Sequence, residues 1–270
     1  MSKKVVLVGC GNMGHAMLEG WLRTGRLKPA DVAVVEPVDA LRSRAAELGC
    51  DAVAAADNLA PDSDPTLVVF AVKPQVIRDV VPYYRSFAGG RTAFLSVAAG
   101  TRIVTFEEIL GDGVPVIRCM PNTPASIGKG MMVVVANGKV KDDTMRFVTD
   151  LLAASGRVAS ISDEGLMDAV TAVSGSGPAY IFHFIECLTA AARAAGLPED
   201  TAALLAGQTV YGAACLAAES QEDPAALRRQ VTSPNGTTAA ALEVLMGGDR
   251  LKSLLTEAVE AARRRSVELG

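Results

Sequence analysis

The sequence contains few of the side chains that build metal or disulfide centres. Its two histidines, His15 and His183, have no cysteine or histidine neighbour at ligand spacing, so we expect no metal site. The five cysteines form no Cys-x-x-Cys pair, and their neighbours are apolar residues or glycine. This usage is typical of small core residues in a reducing compartment and predicts a cytoplasmic protein.

Long apolar runs and an excess of positive charge are missing as well. The net charge is −4, and no basic stripe with interleaved aromatic residues occurs, which argues against a nucleic-acid partner. The first apolar run, Val5–Val8, stops at Gly9 and is too short for a signal segment. No run approaches the ~18 apolar residues that a membrane span needs, so we expect no membrane partner either.

The first part of the chain alternates short β-rich runs with helical periods. The run Val5–Val8 precedes a predicted helix over 12–24, in which Met13, Met17 and Trp21 fall at helical spacing. Further strand-like runs lie at 32–35, 67–72, 92–97, 114–120 and 131–136. Strands that alternate with helices predict an α/β fold, a doubly wound and mainly parallel sheet of the Rossmann type.

The pattern changes near residue 162, where β-branched runs almost vanish and alanine and leucine become dominant. Five helices can be drawn beyond this point. They cover 164–173, 179–195, 198–220, 224–231 and 236 to the C-terminus, the last with a break at Gly247 and Gly248. The shift predicts two domains, a dinucleotide-binding domain at 1–162 and an all-helical domain at 163–270.

A glycine-rich loop joins the first strand to the first helix. It has the pattern G-x-G-x-x-G, in which the first glycine permits a tight turn and the second removes a Cβ where a pyrophosphate approaches. The third glycine lets helix and strand pack closely, and the pyrophosphate rests on the free N–H groups of the helix. An ordinary glycine turn is the alternative. The predicted contacts of a nicotinamide dinucleotide are Gly9, Cys10, Gly11, Asn12, Met13 and Gly14.

The end of the second strand bears on the choice between the two nicotinamide cofactors. Glu36 lies ~20 residues beyond the glycine loop, where a carboxylate accepts hydrogen bonds from ribose hydroxyls and repels a 2′-phosphate. This residue favours NADH. Arg42 and Arg44, in the following helix, could reach a 2′-phosphate, or they could be solvated helix charges, so NADPH stays open.

Loops at the ends of later strands are further candidates, because ligands of a doubly wound sheet bind beyond the carboxyl ends of its strands. They are Ala71–Pro74, Ser96–Gly100 and Met120–Pro124, where two prolines bracket Asn122. Each could equally be a simple strand ending.

Two polar segments lie at the starts of predicted helices in the second part of the chain. In Ser174–Tyr180, small residues precede Pro178, which predicts an exposed, hydroxyl-lined helix N-terminus. In Thr232–Thr238, free N–H groups and hydroxyls predict a cradle for a carboxylate. Two well-capped helix starts are the alternative.

Taken together, in this order and with this spacing, these motifs resemble those of pyrroline-5-carboxylate reductases across essentially the whole chain. The two loops of the helical part carry the specificity, since the glycine loop alone fits many dehydrogenases. The resemblance implies a Rossmann domain followed by a helical domain that dimerises by interleaving helices. It also implies an active site at the dimer interface and, in many relatives, further assembly into a homodecamer.

The resemblance also implies site residues. The substrate would be 1-pyrroline-5-carboxylate, reduced to L-proline in the last step of proline biosynthesis, with Thr238 as the catalytic residue near the ring nitrogen. Substrate contacts would fall on Ser176, Ser233, Gly236, Thr237 and Thr238. Cofactor contacts beyond the glycine loop would fall on Glu36, Asn58, Ala71, Val72, Lys73, Pro74, Val97, Ala98, Ala99 and Asn122.

Two departures from the family pattern stand out. The position of Glu36 more often holds a small polar residue in NADPH-using relatives, which puts the cofactor preference in doubt. Arg229 and Gln230 stand where many relatives have Asp followed by Asn or Met, so the charge beside the second helical loop is reversed.

The expected chemistry suits this set of residues. A cyclic imine is partly protonated near neutral pH and then accepts hydride without a strong protein acid, whereas a carbonyl reductase needs one. The sequence offers no plausible catalytic histidine, and Lys73 is the only lysine in the specific motifs.

Two other functions compete with this hypothesis. A β-hydroxyacid dehydrogenase would need a lysine near the start of the helical domain, and 164–180 contains none. A non-catalytic dinucleotide sensor would not need both intact loops of the helical part.

Overall fold

The computed structural model describes residues 4–60 and 64–269. The first three residues, on which the expected lack of a signal segment partly rests, lie outside the described residues. Contacts divide the chain into two compact units, 1–176 together with 262–270, and 177–261. The domain boundary at 162 stays a prediction.

The first unit is built on an eight-stranded sheet. Its strands are β1 (Val5–Val8), β2 (Val32–Val35), β3 (Asp51–Val53), β4 (Leu67–Phe70), β5 (Ala93–Ser96), β6 (Val116–Met120), β7 (Gly130–Ala136) and β8 (Gly156–Ser160). Their order is β3-β2-β1-β4-β5-β6-β7-β8, and all neighbours are parallel except β6 and β7. The first six strands have the strand order of a Rossmann fold, which confirms the predicted fold class.

Helices connect the strands and then make up the second unit. They are α1 (Asn12–Arg23), α2 (Asp39–Glu47), α3 (Ile77–Val80), α4 (Ile103–Leu110), α5 (Asp142–Ala153), α6 (Met167–Val170), α7 (Gly177–Ala194), α8 (Glu199–Glu219), α9 (Pro224–Gln230), α10 (Thr237–Met246) and α11 (Arg250–Leu269). The sequence patterns do not indicate β3 and β8. These are the two edge strands, and polar residues such as Asp51 and Arg157 interrupt their apolar pattern.

Both faces of the sheet are buried, which explains the continuous apolar runs of its central strands. On one face Leu7 packs in a cluster with the fully buried Trp21. On the other, Val6 belongs to a cluster around Phe70, whose ring lies edge-on to Tyr84 at 5.3 Å between centroids. A buried core therefore lies on each face of the sheet, and the loops at its carboxyl edge extend from a well-packed base.

The second unit has almost no core of its own. Among residues 177–261 only Ala202 and Ala206 are buried, while Leu204 is 70% and Phe182 59% exposed. In the described part of the chain, Glu199–Glu219 is the one helix long and apolar enough to cross a membrane by length and composition. Apolar helices that lack an internal core resemble one half of an obligate interface.

Candidate cofactor and substrate site

The glycine loop has the shape that a dinucleotide requires. Gly9 has a φ of +90°, and a Cβ there would meet Cγ1 of Val72 at 2.8 Å and the carbonyl oxygen of Ala71 at 2.9 Å. A Cβ on Gly14 would overlap the carbonyl oxygen of Gly9. At Gly11, by contrast, a Cβ would meet nothing within 4 Å. Gly9 and Gly14 are therefore required where two backbone segments pack closely together. Gly11 faces open space.

The N-terminus of α1 is open to an anion. Gly11 is its N-cap, no side chain caps it, and its first turn holds no acidic residue. Its free N–H groups and the positive end of the helix dipole therefore point at the open space beside Gly11. A cleft of about 350 Å³ continues from this end, lined among others by Asn12, Arg44 and Thr123.

Glu36 lies at the end of β2 and is buried, with 5% of its surface exposed. Its Oε2 accepts a hydrogen bond from the Cys10 backbone N–H at 2.7 Å, and its Oε1 accepts one from Val38 at 2.9 Å. The carboxylate thus shapes the glycine loop and places a negative charge beside it. Burial raises the pKa of the Cys10 thiol to about 11, and Glu36 adds to this effect, so the thiol stays neutral.

The two arginines of α2 have different surroundings. Arg42 donates to the carbonyl oxygens of Glu36 at 3.0 Å and Pro37 at 3.1 Å, and it pairs with Asp39. Its guanidinium is therefore engaged within the β2–α2 turn. Arg44 is exposed and lines the cleft beside the glycine loop.

The loops after β1, β4 and β5 lie at one edge of the sheet. Ala71 donates to Val8 at 2.8 Å, and Val97 donates to Phe70 at 3.0 Å. A cleft of about 270 Å³ brings Pro74 and Ala99 together. This edge includes the gap between β1 and β4, where the strand order reverses, which is the usual ligand position in such sheets.

The remaining predicted cofactor contacts differ in how exposed they are. Asn58 is exposed, in a short 3₁₀ turn that follows β3. Ala98 is buried, and its N–H donates to Oγ of Ser96 at 3.2 Å. Lys73 is exposed at the end of the β4 loop.

A buried ion pair supports the loops and has no counterpart in the sequence predictions. Arg118, on β6, is 4% exposed, and its Nη1 lies 3.1 Å from Oε1 of Glu164. The same oxygen accepts the N–H of Ile103 at 2.9 Å, while Nη2 of Arg118 has no partner among the described residues. The sequence feature that could have predicted this pair is an arginine inside an otherwise apolar strand, since a buried charge requires a partner.

The segment before α7 differs from the prediction of a free helix start. Thr171–Gly175 forms a π-helical turn, and the Ser176 N–H donates to the carbonyl of Thr171 at 2.8 Å. The expected exposed N-terminus after Ser176 is therefore wrong, because the backbone is already helical there. The Ser176 N–H is already used within the helix and cannot bind an anion. The Ser176 hydroxyl stays a predicted substrate contact.

Helix α10 has an uncapped N-terminus. Asn235 has a φ of +57°, a left-handed conformation that closes the turn, and the N–H of Gly236 donates to Ser233 at 3.1 Å. Gly236 is the N-cap of α10, and no side chain caps the helix. Thr237 and Thr238 occupy its first turn, so the first turn carries both free N–H groups and hydroxyl-bearing side chains. The carboxylate cradle stays a prediction.

Comparisons with known proteins match both parts of the chain. A family model described as pyrroline-5-carboxylate reductase dimerisation matches residues 164–269. A second, described as NADP oxidoreductase, coenzyme F420-dependent, matches residues 4–100. The pyrroline-5-carboxylate reductase of Pseudomonas aeruginosa is 39% identical over 267 residues, covering 98% of this chain and 96% of that protein.

Solved structures agree with these matches. A pyrroline-5-carboxylate reductase from Coxiella burnetii has a TM-score of 0.92 and 34% identity, covering 100% of this chain and 99% of that one. The Plasmodium falciparum pyrroline carboxylate reductase, solved with NADP bound, has a TM-score of 0.84 and 28% identity, covering 99% and 98%.

These similarities confirm the family, the enzyme class and the two-part architecture predicted from the sequence. They also confirm that the cofactor is a nicotinamide dinucleotide and that the helical part serves self-association. The chain belongs to the pyrroline-5-carboxylate reductase family, whose members are NAD(P)-dependent oxidoreductases that act on a cyclic imine.

Proposed function

We propose that this chain reduces 1-pyrroline-5-carboxylate to L-proline in the cytoplasm, using two open helix N-termini. One is the start of α1, where Gly11 faces open space, and the other is the start of α10, where Thr238 lies in the first turn. The absence of capping side chains at both is the observation that carries the proposal. Anionic groups bind well at such ends, and the reaction brings together a pyrophosphate and a carboxylate.

The bound dinucleotide supplies the hydride. The chain would orient it: the N–H groups at Asn12 and Met13 would hold the pyrophosphate, and the loops 71–74 and 97–99 would contact the nicotinamide half. Orientation is the main protein contribution in such reactions, because holding the reacting atoms close replaces a bimolecular encounter.

The α10 start would hold the substrate. The N–H groups of Thr237 and Thr238 would bind the carboxylate, Gly236 would leave room for its approach, and the Ser233 and Ser176 hydroxyls would be further contacts. The Thr238 hydroxyl accepts a hydrogen bond from the protonated ring nitrogen and holds the imine for hydride attack. No strong acid is required, since the substrate brings its own proton.

Paired subunits would complete the site. The exposed apolar side chains of 177–261 need a partner, and the family model for this part is a dimerisation domain. We propose a homodimer that assembles further into a decamer. Light scattering on the purified protein measures both steps, and a monodisperse monomer would contradict the proposal.

The direct test of the function is substrate turnover by the purified full-length chain. The loss of NADH or NADPH absorbance is followed with 1-pyrroline-5-carboxylate, with the six-membered cyclic imine, and in reverse with a 3-hydroxy acid and oxidised cofactor. We expect fast turnover of the five-membered imine. Turnover of the hydroxy acid alone would support a β-hydroxyacid dehydrogenase, and turnover of none would support a sensor.

Removing the Thr238 hydroxyl tests the proposed catalytic residue. A hydrogen bond to a charged group contributes ~1.5–3 kcal/mol, so Thr238→Ala is expected to lower kcat about ten- to a hundredfold. The dissociation constant of the dinucleotide, measured by NADH fluorescence, should change less than about twofold. Thr144→Ala, in α5, is the matched control and should keep wild-type kinetics. Unchanged imine turnover in Thr238→Ala would remove Thr238 from the mechanism.

Replacing Glu36 tests the cofactor preference. Like charges placed together across a binding interface cost several kcal/mol, so Glu36→Ser is expected to raise the NADPH:NADH ratio of kcat/KM about tenfold or more. Glu36→Gln, which keeps the size and an acceptor oxygen for the Cys10 N–H, should shift the ratio in the same direction. The control is Glu47→Ser at the end of α2. An unaltered ratio in both Glu36 variants would reject a selective role for this charge.

A further inference from the structure

Both ends of the Asn122 side-chain amide form hydrogen bonds within the protein. Its Oδ1 accepts the backbone N–H of Met131 at 2.8 Å. Its Nδ2 donates to the carbonyl oxygen of Ser174 at 3.2 Å and lies 3.4 Å from the Ser174 hydroxyl. The side chain is half-buried and follows β6 directly. An amide is required here, because one end must accept and the other must donate.

The two partners belong to different parts of the first unit. Met131 lies near the start of β7, which is antiparallel to β6. Ser174 belongs to the π-helical turn Thr171–Gly175, which is followed at once by Ser176. A π-turn departs from regular helical hydrogen bonding and is common at functional sites. The bond from Asn122 holds this turn from outside the helix.

Packing also holds the π-helical turn against the end of β6. A Cβ added to Gly175 would overlap Cε of Met120, the last residue of β6. The turn therefore lies directly against the strand end that carries Asn122. Within the turn, the hydroxyl of Thr171 donates to the carbonyl of Met167 at 2.8 Å, so local bonds hold its first residue while Asn122 holds its fourth.

We propose that Asn122 is a positioning residue, whose amide fixes the π-turn and thereby sets the place of the Ser176 hydroxyl at the substrate site. This inference rests on the proposed function only for its kinetic consequence. It differs from a cofactor contact, since the role rests on the bonds that the amide makes to Met131 and Ser174 within the protein.

The test uses Asn122→Asp in the full-length protein. Aspartate keeps the acceptor for the Met131 N–H but cannot donate to Ser174, and its charge repels the Ser174 carbonyl. Hydrogen exchange followed by mass spectrometry is expected to show about tenfold faster exchange over 171–176, with unchanged exchange in the glycine loop 9–14. This readout does not depend on which substrate is turned over.

Kinetics separate positioning from cofactor binding. We expect kcat/KM for the imine to fall about tenfold in Asn122→Asp, with the dissociation constant of NADH within about twofold of wild type. Ser174→Ala, which removes the weaker hydroxyl contact and keeps the carbonyl, should stay near wild type. A loss of NADH affinity equal to the loss of kcat/KM would overturn the inference, as would unchanged exchange over 171–176. If the wild type fails to reduce the imine, the proposed function fails, whereas the exchange result still decides the role of Asn122.

Discussion

Gly11→Ala is expected to weaken dinucleotide binding about ten- to a hundredfold while leaving the fold intact. A Cβ at this position meets nothing within 4 Å in the protein, so it does not disturb the loop itself. It would instead occupy the space into which the pyrophosphate must enter. Overpacking costs ~1–3 kcal/mol, which converts to this range in the dissociation constant. NADH fluorescence titration and the melting temperature Tm measure the two effects separately.

Two glycine variants make this result specific. Gly138→Ala also adds a Cβ in open space, but in a turn after β7, and should bind NADH like the wild type. Gly14→Ala should lower Tm as well, because its Cβ overlaps the Gly9 carbonyl oxygen. Wild-type affinity in Gly11→Ala would show that the pyrophosphate does not approach this side of the loop.

Glu164→Ala is expected to destabilise the protein by about 3 kcal/mol, the lower part of the ~3–5 kcal/mol typical of breaking a buried ion pair. Arg118 would keep a buried charge without a partner, and the Ile103 N–H would lose its acceptor. The lower part of the range applies because the Glu164 side chain is 25% exposed and solvent screens the pair in part. Urea unfolding, monitored by circular dichroism, gives the change in free energy.

An exposed ion pair provides the control for this variant. Arg78 and Glu108 approach to 3.2 Å, but their side chains are 66% and 54% exposed. Glu108→Ala should therefore change stability by less than about 1 kcal/mol. Glu164→Gln should lie between the two, since it keeps an acceptor for Ile103 but removes the charge. Equal stabilities of Glu164→Ala and Glu108→Ala would show that the Arg118 pair is not important for the fold.

The parts of the fold that could be predicted are those in which neighbouring residues carry the signal. The strand Val5–Val8 is buried on both faces, so it is apolar throughout and is visible in the sequence as one run. Gly9, Gly11 and Gly14 follow it at fixed spacing, and Gly9 and Gly14 have the tight turn and the close packing that were predicted for them. The edge strands β3 and β8 escaped prediction because they are partly exposed and contain polar residues, which removes the apolar pattern.

In the candidate site too, only features encoded by neighbouring residues could be predicted. The open start of α10 could be predicted, since Gly236 and the threonines that form it are adjacent in the chain. The π-turn before α7 could not, because small residues such as Ser174 and Gly175 are equally compatible with a loop. Whether they form a loop or a helical turn depends on contacts with Asn122 and Met120, made by a distant strand end.

By itself, the sequence determined the dinucleotide loop and the open start of α10, because each is encoded by residues close together in the chain. It determined the family through the order and spacing of such local motifs along the chain. The tertiary structure alone decided which polar side chains are engaged with one another. Asn122 meets Ser174 across 52 residues, and Arg118 meets Glu164 across 46. The amide and the buried charge require such partners, but only the packing of the sheet against its helices brings them within hydrogen-bonding distance.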